Sequence, residues 1–183
     1  MAFFTSPATK FERAVRAFVF LQGKGTLDDS FIANDSRDRT LPNRTYVASS
    51  FSPDRSYRPE GVVTLDIQHH FAAVEQPDQT AQAQRVAMDA FVGDTMDALN
   101  ADSGNPSLVN LADAITRAGR WLAVTDNTPE GDAIAAANPD MVNFRCDWIK
   151  FGQPLISRGK PDNDSSNWVE VIHLSGFVSH AST

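Results

Sequence analysis

The sequence predicts an α+β fold: a single domain over 1–183 with a mostly antiparallel sheet of about four strands and two or three helices packed on one face. Three observations carry this. In Gly61–Phe71 the residues Val63, Leu65, Ile67, His69 and Phe71 alternate with Thr64, Asp66, Gln68 and His70, so a strand there has one apolar and one polar face. A long amphipathic segment follows it, and the chain closes in a second strongly β-forming run, Trp168–Leu174. A strand of about eleven residues is long enough to cross a whole sheet and to carry helices on its apolar side.

In chain order, residues 6–22 read as the first helix. Pro7 suits a first turn begun at Ser6, Thr9 and Glu12 have capping-box spacing, and Phe11, Ala14, Val15, Phe18 and Leu21 recur at helical spacing. Gly23-Lys24-Gly25 stops it. Phe20 lies off the main stripe, which fits either a half-buried side chain or a second packing surface such as another subunit. Residues 26–44 form a long polar loop of mixed charge, with Arg37, Asp38, Arg39 and Arg44 among its ions. A strand is predicted over Thr45–Phe51. The turn residues at Ser52–Asp54 and Arg58–Gly61 make it an antiparallel partner of the long strand.

A helix is predicted from about 78–80 to Leu99, and Asn105-Pro106 opens another that ends near Gly119. Trp121–Val124 reads as a short strand, Asp126–Gly131 as a turn, and Asp132–Ala137 as a brief helix ended by Asn138-Pro139. Val142–Phe151 is strand-like again. The stretch 153–167, with Pro154, Gly159 and Pro161, reads as an exposed loop. The final strand has apolar residues at both parities, as for a strand covered on both faces or an edge covered by a neighbouring chain.

Composition narrows the function classes. An apolar content of 42% with twelve Phe argues for a packed core, and a net charge of −7 argues against sequence-independent binding of DNA or RNA. The single cysteine, Cys146, permits no intrachain disulfide. The N-terminus lacks a basic region followed by a long apolar run, so neither a signal peptide nor a membrane span is predicted, and a soluble protein is the expectation.

The sequence contains little that points to catalysis. His69 and His70 are adjacent on a strand and point to opposite faces, so the pair does not chelate one metal. His69 meets His173 only if the first and last long strands are neighbours on one face. Asp66 lies on the face opposite His69, and Glu170 is a second nearby acid. Cys146, beside Trp148 in an apolar strand, reads as a buried thiol. No serine sits in a GxSxG elbow, and Gly23-Lys24-Gly25 lacks the spacing of a phosphate-binding loop. No catalytic, cofactor or metal residue is therefore assigned.

The helix Phe11–Leu21, Leu41-Pro42 before the first strand, the strand Gly61–Phe71, Pro77…Arg85 opening the next helix, and the last strand Trp168–Phe177 together resemble the tail terminator proteins of long-tailed bacteriophages, also described as tail-completion or minor tail proteins. This chain is longer than the smaller members of that family, mainly around 100–165. The resemblance implies a structural virion protein of the tail or neck, assembled in the host cytoplasm. It would be a homo-oligomer, a hexameric ring that caps the tail tube protein and joins it to the head connector or stopper protein. DNA would pass through the lumen without specific binding, and the ring would have no enzymatic activity, cofactor or membrane partner. An acidic wall suits such a lumen because it repels DNA. A ring needs a heterologous interface, with the 26–44 loop on one side and the 153–167 loop or last strand on the other. Candidate interface residues are Arg37, Asp38, Arg39, Arg44, Asp66, Gln68, Trp168 and Glu170. Other readings remain open: a head-to-tail connector or neck adaptor, a monomeric adaptor, and a small soluble enzyme with a site near His69 and His173.

Overall fold

The computed structural model describes residues 5–23, 43–54 and 60–72, helical positions 86, 89, 90, 93 and 95–99, and residues 108–159 and 167–180. In chain order they form α1 (Pro7–Leu21), β1 (Asn43–Pro53), β2 (Gly61–Ala72), the helical positions just named at 86, 89, 90, 93 and 95–99 (α2), α3 (Leu108–Trp121), α4 (Pro129–Ala137), a 3-10 turn (Pro139–Met141), β3 (Phe144–Gly159) and β4 (Asn167–His180). The four strands make one antiparallel sheet in the order β1-β2-β4-β3, and the helices pack on it as an α+β domain, in agreement with the predicted fold class.

Helix α1 starts where its first turn can be satisfied. The Ser6 hydroxyl accepts from Thr9 N–H at 3.2 Å, and Pro7, which has no N–H to leave unpaired, takes the first helical position. The cap is therefore Ser6, and the Thr9–Glu12 pair lies inside the helix instead of forming a capping box. Glu12 accepts from Arg16 at 2.9 Å, one turn on. Phe11, Ala14, Val15 and Phe18 are buried, facing the sheet and α3. The Phe11 ring lies against Gly176 of β4, where an added Cβ would come within 2.6 Å of the ring, so the sheet has a hollow for it. Phe20 is half-buried, its ring 6.0 Å from that of Trp121, which accounts for it within the chain.

Strand β2 alternates as expected: Val63, Leu65, Ile67 and His69 are buried, while Thr64, Asp66, Gln68 and His70 are half-exposed. Ile172, Leu174 and Val178 of β4 and Phe144 and Ile149 of β3 complete the apolar face under α1 and α3. Helix α3 is fastened to the first half of β3 by polar contacts. The Thr116 hydroxyl accepts from Cys146 N–H at 2.9 Å, and Arg120 Nε donates to the Phe144 carbonyl at 2.9 Å. The Thr116 contact occupies the register shift between Cys146 and Trp148. The linkage matters because backbone groups beside a bulge lose ladder partners.

Three expectations are corrected. Trp121–Val124 is not a strand. Helix α3 runs to Trp121, and the N–H groups of Leu122, Ala123 and Val124 bond to the carbonyls three residues back while Leu122 is buried. The α4 helix begins earlier than Asp132, because Thr128 caps it through Gly131 N–H and Pro129 takes the first position. The stretch 153–159 is the second half of the strand β3, not a loop. The last strand is interior, paired on both sides with β2 and β3, and the outer strands are β1 and β3. The expected 26–44 loop lies outside the described residues except for its last two positions, which open β1.

Candidate functional site on the open face of the sheet

Among the described residues the helices cover one face of the sheet, and on the other the side chains of successive strands meet each other directly. Register decides which ones. Asp66 of β2 stands opposite His173 of β4, and Ser157 of β3 stands opposite Val171, one diagonal step from His173. Directly opposed side chains on one face lie close enough to touch, and diagonal ones are reachable by a long side chain. His173 uses both contacts: its Nδ1 lies 2.8 Å from Asp66 Oδ1 and its Nε2 lies 2.9 Å from Ser157 Oγ.

The chemistry fixes the proton positions in the neutral imidazole. A carboxylate only accepts, so Nδ1 carries the hydrogen and donates to Asp66. The lone pair on Nε2 then accepts from the Ser157 hydroxyl. The result is a continuous Ser–His–Asp hydrogen-bond chain across three strands. All three residues are partly open to solvent, with the His173 and Asp66 side chains 30% and 23% exposed.

Strand β3 is irregular beside this chain. Between the pairs Phe151↔Leu174 and Ile156↔Ile172, β3 advances five residues while β4 advances two, so three extra residues swell out opposite His173. The bulge passes so close that a Cβ on Gly152 would sit 2.8 Å from the His173 Cβ, leaving room only for glycine. Gln153, Pro154 and Leu155 are exposed at its crest. Elsewhere on this face, His70 and Gln68 meet at 3.2 Å, Ser50 donates to Thr64 at 3.0 Å, and the Trp148 and Phe177 rings lie 6.4 Å apart.

The helix-covered face carries a different set. His69 is fully buried, with Nε2 3.3 Å from the Thr95 hydroxyl of α2. Burial first, then the positive Arg44 and neighbouring His70, lower its pKa from 6.5 to about 3, so it is neutral at pH 7. Opposite it, Glu170 is also fully buried and accepts from Arg158 Nε, while Arg158 Nη2 donates to Asp89 of α2 at 2.6 Å. The bond to Glu170, more than any other influence, raises the pKa of Arg158. Cys146 is buried, and desolvation, assisted by Asp147, pushes its thiol up to about 12, so the thiol is fully protonated at neutral pH.

These placements revise the site residues predicted from sequence. His69 and His173 occupy opposite faces and form no joint site. Glu170 is sealed inside the subunit and has no surface for a neighbour. Arg44, in register with His69, shares the helix-covered face. Asp66 and Gln68 lie on the open face as read, and Asp66 is engaged with His173. Trp168 pairs with Phe71 in the ladder. Arg37, Asp38 and Arg39 lie outside the described residues. Sequence reasoning missed Ser157, because its stretch read as loop and no local motif marks a serine placed by strand register. Among the described residues no group of three or more His, Cys, Asp or Glu gathers to hold a metal ion, and no helix is long and apolar enough to cross a membrane.

Compared with known proteins, the chain matches no family model and no curated sequence.

Proposed function

We propose that this chain is a structural protein of a phage tail, similar to a tail terminator. It would form a ring on the end of the tail tube protein, meet the head connector or stopper above it, and let DNA pass through an acidic lumen. The observation that carries the reading is the one-sided sheet. The four-stranded antiparallel sheet has its described helices on one face, and its two outer strands, β1 and β3, run in opposite directions. The β3 edge of one subunit can therefore approach the β1 edge of the next in the antiparallel sense. Such a contact is heterologous and closes into a ring when the rotation per subunit divides a full turn. Asp66, Gln68 and the rest of the open face would then line the lumen or meet a neighbour. With the last strand interior, β3 and the residues after it take over the contact role first given to that strand.

Mass measurement in solution, followed by negative-stain imaging with and without purified tail tubes, tests this. A species of six chain masses, or a monomer that forms rings on tube ends, is the expected result. A monomer that never associates with tubes or with itself overturns it. Rings that bind the head connector but not the tube would instead select the neck-adaptor reading.

A further inference from the structure

We propose that Ser157 is a nucleophile, activated by His173 and positioned through Asp66, that is acylated by esters of short-chain carboxylic acids. The inference goes beyond the ring reading and does not rest on it.

Three features of the open face carry it. The first is the hydrogen-bond chain itself: 2.9 Å from Ser157 Oγ to His173 Nε2 and 2.8 Å from His173 Nδ1 to Asp66 Oδ1. These lengths and this tautomer are what base-activated attack by a serine requires, wherever the residues fall in sequence. The second is access, since Ser157 and its partners are half-buried on a face that no helix covers among the described residues. The third is the bulge. Residues 152–155 have no register partner on β4, which places the Gly152, Gln153 and Leu155 main chain beside Ser157 in irregular backbone. β3 is also an outer strand, and its alternate N–H groups point away from the sheet. Main-chain donors within a few residues of the nucleophile are the groups that stabilise a developing oxyanion.

The reaction balances with water as the only co-reactant. As Ser157 Oγ adds to the acyl carbon, its proton passes to His173 Nε2, and Asp66 stabilises the imidazolium. Collapse of the tetrahedral intermediate breaks the bond to the leaving oxygen, which takes that proton and departs as an alcohol. A water molecule then repeats the sequence, releasing the carboxylic acid and restoring the serine. Short acyl groups are specified because the face is open. Val47, opposite Asp66 and 37% exposed, and Leu155, equally exposed on the bulge, are the small apolar contacts that the described residues offer an acyl group.

The test uses the whole chain, with p-nitrophenyl acetate and a fluorophosphonate probe, on whichever of the monomeric and assembled species the mass measurement finds. The expected result is one adduct per chain, located by peptide mass spectrometry on Ser157. It should be at least 100-fold ahead of Ser175, which shares the open face, and should be lost on heat unfolding. His173→Ala should slow acylation about 100-fold or more. Asp66→Asn should slow it about tenfold or more with the half-saturating ester concentration unchanged, a split that a purely structural role does not produce. Labelling of Ser157 no faster than Ser175 in every species overturns the proposal without reference to any variant. Equal rates in the wild type and His173→Ala overturn it as well. Ring assembly by Ser157→Ala, measured alongside, separates this outcome from failure of the ring reading.

Discussion

His69 and His173 lie on adjacent strands of one sheet, yet they experience nearly opposite environments. His69, on the helix-covered face, is sealed beneath α2 with a hydroxyl for company and stays neutral well into acid. His173, on the open face, is half-exposed and hydrogen-bonded at both nitrogens by groups from two neighbouring strands. Their carboxylate neighbours divide the same way. Glu170 is buried and held by Arg158, whereas Asp66 is partly solvated and held by His173. The covered face therefore carries the stability of the domain, and the open face carries polar groups whose arrangement folding alone does not require.

The largest expected effect that sharpens this contrast comes from paired aromatic truncations. Phe11→Ala, on the covered side, removes a fully buried ring seated over Gly176 and should cost about 3–5 kcal/mol. Phe177→Ala, two positions from Ser175 on the open side, removes a half-buried ring and should cost less than half as much. Urea unfolding of both variants reads the difference, and equal losses would mean that something else covers the open face.

Acid titration comes next. Unfolded, His69 takes up a proton near pH 6.5; folded, it does not until about pH 3. The stability it contributes is therefore complete above 6.5 and falls by about 1.4 kcal/mol per pH unit as the pH drops from there towards 3. His69→Phe should flatten the dependence of unfolding free energy on pH in that window. An unchanged slope would show that His69 is more hydrated than its burial implies.

The smallest effect concerns the two carboxylates and their partners. Arg158→Ala leaves the buried Glu170 carboxylate without its donor and should cost about 1–3 kcal/mol, softened because Arg158 itself is 45% exposed. Asp66→Asn should change stability by about 1 kcal/mol or less, since its pair is partly solvated. A reversal of this order, measured by thermal or urea unfolding at pH 7, would break the distinction between the faces.

Periodicity made the covered face legible. Val63, Leu65, Ile67 and His69 alternate because one side of β2 is apolar, and Phe11, Ala14, Val15 and Phe18 recur because one side of α1 is. Each pattern is a local consequence of burying one face of a regular element. Where local signals competed, reading was poorer. Gly152, Pro154 and Gly159 look like loop residues, but β3 absorbs them by swelling into a bulge and running on as an outer strand, where no second neighbour enforces regular pairing. Trp121–Val124 looks like a strand because of its bulky residues, but it lies at the end of an amphipathic helix whose buried stripe continues to Leu122.

The open-face site could not be read this way at all. Asp66, His173 and Ser157 belong to strands far apart in the chain, and no spacing between them encodes that they meet. By itself the sequence determined the strand and helix periods, the apolar stripes that face the core and the net negative charge, because these depend on each residue and its near neighbours. Only the tertiary structure decided that β4 lies between β2 and β3, in a register that sets Asp66 against His173 and Ser157 one diagonal away. A shift of one residue in either ladder would have turned those side chains to opposite faces.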